Sequence, residues 1–302
     1  MIQLHYLQFA EKQLPGLNFD NQQDLIKVEK ILKTEAKLSV DFNVNDIEKL
    51  IDFLKSYGSK FLPFFRHKNI EKIIKGDGEA INLAPFNEDL PEETFQEFRE
   101  LFEANTLNYL KNCIQKNRWA SIKSVFKVYP FLLTDYIVQE ILDVFVLKNR
   151  AIIDALRRGG YTFFLNQNPY AEDSAYFSLL SDMDGYYFEE DLLNINNIIA
   201  EVQRKELRDK AAFGRTLYAA TFYTAFSEDL SNTLSSNRDI AYSWIYPAVD
   251  HSSSPWTTTN IIIGIVAFLV AAGCLVFLPG GTGGGVWVAV VVGRLIYALR
   301  SK

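Results

Sequence analysis

Apolar residues recur at three- and four-residue spacings along most of the first 250 positions, the pattern of helices that bury one face. Asp20-Asn21 predicts a capped helix through about Leu38, with Leu25, Val28, Ile31 and Leu32 on one side. Asn45 predicts a second cap ahead of Ile47, Leu50, Ile51 and Leu54, with Gly58 closing the helix. A short helix is expected from about Lys68 to Lys75, ended by the turn Gly76-Asp77-Gly78. Leu90-Pro91-Glu92-Glu93 opens another, with Pro in the first turn and acids at the positive end of the dipole. From Asn105 to Arg158 the pattern predicts stacked helix pairs, broken at Asn117-Arg118 and Tyr129-Pro130 and closed by Gly159-Gly160. No fixed repeat period accompanies them, so an irregular helical repeat is left open. The aromatic stretch 161–188 reads as a short strand or loop. Helix returns from Glu189 to about Phe226, with Glu201/Lys205 and Glu206/Lys210 at four-residue spacing, after which serine and asparagine punctuate the chain.

The pattern then changes character. Ile261 to Leu278 carries no charge and, with Thr257–Asn260 leading in, is long enough for a membrane helix, which needs roughly 20 apolar residues. After Pro279-Gly280-Gly281 a second apolar run, Val286 to Leu299, leads to Arg300 and Lys302. Arg294, Arg300 and Lys302 favour a hairpin that returns the C-terminus to the side of the soluble part. At roughly 21 Å the second run is short, so a single crossing with an amphipathic tail competes. Tyr242, Trp244, Tyr246 and Trp256 stand where interfacial anchors are expected before the first span, Trp287 near the far turn and Tyr297 near the return. Gly281, Gly285, Ala289 and Gly293 recur every fourth position, and Ala267 and Ala271 share that spacing, which lets helix backbones approach closely. Such a groove serves either a tight intrachain hairpin or an interchain zipper around an axis. Arg294 either snorkels to the interface or lines a water-filled path.

Charge divides the remainder into blocks. Residues 1–110 carry a net −6, residues 111–158 a net +5 and residues 159–250 a net −8. The basic island comprises Lys111, Lys116, Arg118, Lys123 and Lys127, interleaved with Trp119, Phe126 and Tyr129, followed by Lys148, Arg150, Arg157 and Arg158. Cations beside stackable rings suit an anionic ligand carrying a base, a nucleotide or short nucleic acid. Other readings are a solvated helix surface with its aromatics turned inward, pairing with the chain's own acidic blocks, or attraction to anionic lipid. The N-terminal segment has no charged region followed by a long apolar run, so the soluble part is expected in the cytoplasm and the tail in the inner membrane.

Conventional chemistry is sparse. Cys113 and Cys274 do not form a disulfide framework. His67 and Glu71 share a helical face, yet two ligands without a third do not make a metal site. Asp182-Met183-Asp184-Gly185 resembles a fragment of a calcium loop, but Leu180 holds the first ligand position, and a surface turn is the simpler reading. Phosphate-loop, nucleophile-elbow and dinucleotide motifs are absent from the sequence, which implies no catalytic residues, metal or cofactor.

The expected architecture is an all-α, multi-helix cytoplasmic domain with a C-terminal transmembrane hairpin. It divides into an N-terminal helical region (1–105), a helical sensor or interaction region (106–250), a juxtamembrane linker (251–258) and the hairpin (259–299). This layout resembles that of prokaryotic immune effectors that pair a ligand-sensing domain with a few membrane helices; the likeness is of layout and involves no motif. It implies a homo-oligomeric ligand-gated channel or membrane-permeabilising effector in antiviral defence, with lipid, further copies and a nucleotide as partners. The other expectation is a tail-anchored adaptor whose acidic, aromatic region 159–250 docks a protein.

Overall fold

Side-chain caps start the first long helices of the computed structural model, which describes residues 4–203 and 209–246. α1 (Leu4–Gln13) precedes α2 (Gln22–Glu35), where Asn21 accepts the Gln23 amide, and α3 (Val44–Tyr57), where Asn43 accepts the Asn45 amide. The α3 cap is therefore Asn43 rather than Asn45: the chain is already helical at position 45, so the free amides begin two residues earlier. α4 (Leu62–Arg66) and α5 (Lys68–Lys75) follow, and α5 ends on Gly76 in the left-handed conformation.

After an extended segment come α6 (Glu92–Leu101), α7 (Glu103–Gln115), α8 (Trp119–Val128) and α9 (Asp135–Arg158). The breaks fall at Asn117-Arg118, where Asn117 takes a positive φ, and at Tyr129-Pro130. Thr134 caps α9 through the Ile137 amide. The stretch 161–188 is helical, not strand or loop: α10 (Tyr161–Gln167), a 3-10 turn (Pro169–Glu172) and α11 (Ser174–Asp184), capped by Asp173. Its rings favour strands locally, but burying Tyr161, Leu165, Tyr176, Phe177, Leu179 and Leu180 against neighbouring helices overrides that preference. The stretch from 189 to 226 comprises two helices, α12 (Glu189–Gln203) and α13 (Lys210–Ala220), not one; Lys205 and Glu206 of the expected pairs lie outside the described residues. α14 (Glu228–Ile245) occupies the serine- and asparagine-rich part, where no helix was expected.

The described residues are thus all-α, without a strand. α8 packs on α11, α9 on α12, and α13 most extensively on α14. Gly214 permits that last contact: an added Cβ would lie 3.0 Å from the Ala241 carbonyl oxygen and 3.0 Å from the Trp244 Cβ. A large core runs from Phe61 to Ala241 and is rich in rings, with Phe64 stacked on Phe98 at 3.9 Å and on Phe86 at 4.9 Å. A smaller core joins α1, α2 and α3 through Tyr6, Val28, Leu32, Ile47, Leu50 and Ile51. No helix among the described residues is long and apolar enough to cross a membrane. The expected hairpin, with Ala267, Ala271, Gly281, Gly285, Ala289, Gly293 and Arg294, lies outside the described residues.

Candidate functional site

The cations of the basic island are taken up by several different neighbours. Lys111 on α7 pairs with Glu140 on α9 at 2.8 Å. Lys123 and Lys127, one turn apart on α8, both reach Asp182 on α11 at 2.6 Å. Burial pushes the Asp182 carboxyl up, and the two ammonium groups outweigh it, holding the carboxyl below its ordinary range. Lys116 donates to the carbonyl of Asp77, and Arg118 to that of Gly78. At the far end of α9, Arg158 meets Asp154 at 3.6 Å with both groups exposed, and Arg157 is exposed.

The rings among these cations face inward. Trp119 is buried, and its Nε1–H donates to Asp173 Oδ2 at 2.9 Å. Tyr129 is fully buried, and Phe126 packs against the core. Neither buried ring presents a face on which a base could stack.

Lys148, unlike the other lysines of the island, lies against rings rather than a carboxylate or a carbonyl. It has no carboxylate within ion-pair reach among the described residues; its Nζ lies 3.8 Å from the Tyr170 ring centroid and 5.9 Å from that of Trp119. Burial pulls its ammonium below the usual value. Beside it, the buried Asn149 donates to Asp191 Oδ2 at 2.9 Å and accepts the Tyr176 hydroxyl at 2.6 Å. Burial raises the Asp191 carboxyl, partly offset by Asn149 and by the positive charge of the exposed Arg150.

The other candidates resolve into ordinary local contacts. His67 Nε2 lies 3.2 Å from the Pro85 carbonyl, while Glu71 pairs with Lys75 at 3.1 Å. Asp184 Oδ1 accepts the amides of Tyr186 and Tyr187 at 3.0 Å each, closing a turn. Among the described residues no three potential ligands gather around a metal position.

Two features escape the sequence reading. The first is a continuous ladder of rings along the C-terminal ends of α13 and α14 and the residues just beyond them: Phe222 meets Tyr218 at 5.6 Å, Tyr218 meets Tyr242 at 6.3 Å, and Tyr242 meets Tyr246 at 4.9 Å. Phe222, Tyr242 and Tyr246 are exposed, and the Arg238 guanidinium lies 5.0 Å over Phe222. The sequence marks Tyr242 and Tyr246 as interfacial anchors; their alignment with Tyr218 and Phe222 needs the helix pairing. The second is the grip of α5, α7 and α8 on residues 76–85, through side chains whose targets are main-chain atoms. No family model, curated protein or solved structure matches this chain.

Proposed function

We propose that this protein is a membrane-tethered helical docking protein, held in a bilayer by its C-terminal apolar runs and binding a protein partner through the region 159–250. The observation that carries the reading is the ring ladder Phe222–Tyr218–Tyr242–Tyr246. Its ring nearest the C-terminus, Tyr246, precedes the uncharged run Ile261–Leu278 in the sequence. Tyrosine and tryptophan concentrate at the boundary between headgroups and hydrocarbon, which suits a ladder leading into a membrane segment. The exposed Tyr186 and Phe226, edge to face at 6.0 Å, add apolar surface within the acidic block for a protein partner.

A second reading keeps the oligomeric channel of antiviral defence, gated by a nucleotide or other anionic ligand at the basic island. The four-residue register Gly281, Gly285, Ala289 and Gly293 favours it. Engagement of Lys111, Lys116, Arg118, Lys123 and Lys127 within the chain shifts the weight to docking.

One experiment tests both. The full chain should resist alkaline carbonate extraction from membranes. Leu269→Arg with Val270→Arg should release it, since each central charge costs about 3 kcal/mol. Extraction of the unaltered protein by carbonate overturns the tether. In vesicles, a conductance that appears with nucleotide and disappears in Gly285→Leu/Gly293→Leu selects the channel over the docking protein.

A further inference from the structure

Residues 76–91 connect α5 to α6, and from Asp77 to Leu90 no main-chain group pairs with another main-chain group among the described residues. The carbonyls are met instead by side chains from the helices beneath. Asn112 donates to Gly76 O at 2.7 Å, Lys116 to Asp77 O and Arg118 to Gly78 O. Tyr109 donates to Glu79 O at 2.7 Å and Lys72 to Ala80 O at 2.9 Å. Ser121 Oγ accepts the Ile81 amide at 3.2 Å, and Asn69 donates to Asn82 O at 3.0 Å. Tyr129 donates to Ala84 O, and His67 Nε2 stands 3.2 Å from Pro85 O.

This grip reads mainly backbone; beside it Asn69 donates to Asn82 Oδ1 at 2.7 Å and Lys72 lies 3.7 Å from the Glu79 carboxylate. The side chains of Asp77, Glu79, Ala80, Asn82, Leu83, Ala84 and Pro85 are exposed, and Leu83 stands 65% open to solvent. Three positions are selective. At Gly78, with φ +68°, an added Cβ would lie 2.8–2.9 Å from atoms of Asn112 and Cys113, so the groove floor admits glycine alone. Three residues on, Ile81 puts its side chain into the core, and Phe86 stacks on Phe64 at 4.9 Å and lies 5.5 Å from Phe131. Ile81, Phe86 and Leu90 apart, the apolar side chains of the segment stay exposed, so it buries less apolar surface than the helices around it and opens at a lower free energy. A segment with glycine, an aliphatic residue and a ring at these positions would satisfy the same main-chain donors, so exchanging one for another leaves no buried donor orphaned.

We propose that the face formed by α5, α7 and α8 is a recognition groove for an extended peptide with glycine, an aliphatic residue three positions on and an aromatic residue five further, and that residues 76–86 are a resident ligand which a partner segment replaces. The occupant is a stretch of extended polypeptide on a partner protein, because the chain already seated there shows what fits: main-chain carbonyls in register, a glycine, one aliphatic side chain and one ring. Lys116 and Arg118 then serve as carbonyl donors rather than phosphate ligands. The proposal stands independently of the membrane reading.

The test uses the full chain in detergent and a dye-labelled peptide, GDGEAINLAPF, copying residues 76–86. Gly78→Leu should expel the resident segment, and the peptide should bind this variant at least about tenfold more tightly than the unaltered protein, where competition lowers the apparent affinity. A control peptide with leucine in place of its second glycine should not bind. Adding Arg118→Ala to the opened variant should remove most of the gain. A second route avoids the substitution: a protease site built at the exposed residues 87–89, cut after folding, frees one end of the segment and should raise peptide binding likewise. Equal binding to unaltered and cut protein, or no binding to cut protein that keeps its helical circular dichroism, overturns the proposal.

Discussion

Asp182 carries two ammonium groups, and their placement makes it the main electrostatic tie between α8 and α11. Its side chain is 16% exposed, whereas those of Lys123 and Lys127 are 39% and 47% exposed, so solvent screens the pairs partly. Asp182→Asn should cost about 1–2 kcal/mol in denaturant unfolding at neutral pH, because two neighbouring cations lose their shared counter-charge. The pH dependence follows from the depressed carboxyl. Its stabilisation is complete above the ordinary value of 3.8 and is lost as pH falls through the lower folded value. The gap between the two proteins should therefore close in acid; a gap that persists there would assign the effect to packing instead. Lys123 and Lys127 were legible as a basic face four residues apart, but their partner more than 50 positions away was not, since ion pairing across helices depends on packing.

At the scale of elements, α13 and α14 show how a weak local signal becomes a firm helix. The α14 sequence is rich in serine and asparagine, which favour caps and turns over helix interiors. It is helical because Leu230, Leu234 and Ala241 are buried along one side, with Gly214 letting the two backbones close up. Gly214→Ala should remain near the stability of the unaltered protein, as about 1 kcal/mol of helix propensity offsets the crowding at Ala241 and Trp244. Gly214→Leu should cost about 1–3 kcal/mol and raise amide exchange along α14 more than along α9. Uniform exchange changes would instead show that α14 opens only with the whole molecule. Helix starts with strong caps, such as Asn21 and Thr134, formed where side-chain chemistry acts within a few residues. The aromatic stretch 161–188 was misread because its rings say that it is buried, not which backbone shape buries it.

For the molecule as a whole, the two cores are unequal. The smaller one, under α1, α2 and α3, has Leu50 and Ile51 nearly closed to solvent and adjoins the larger near Phe61 and Leu62. Leu50→Ala should cost about 2–5 kcal/mol locally. Amides of α1, α2 and α3 should then exchange faster while those of α7 and α9 keep their protection, as expected for separate cooperative units. Loss of protection everywhere at once would show a single unit.

The sequence by itself determined the all-α class, most helix limits before residue 158 and the uncharged C-terminal runs, because these rest on periodicity, caps and hydropathy acting over one or two turns. Tertiary structure alone decided where the cations go and what lies in the groove. Lys123 and Lys127 turn to Asp182, Lys116 and Arg118 to the carbonyls of Asp77 and Gly78, and Trp119 to Asp173. A charge or a ring has many admissible partners along a chain, and only the packing of distant helices selects which one lies within hydrogen-bond reach.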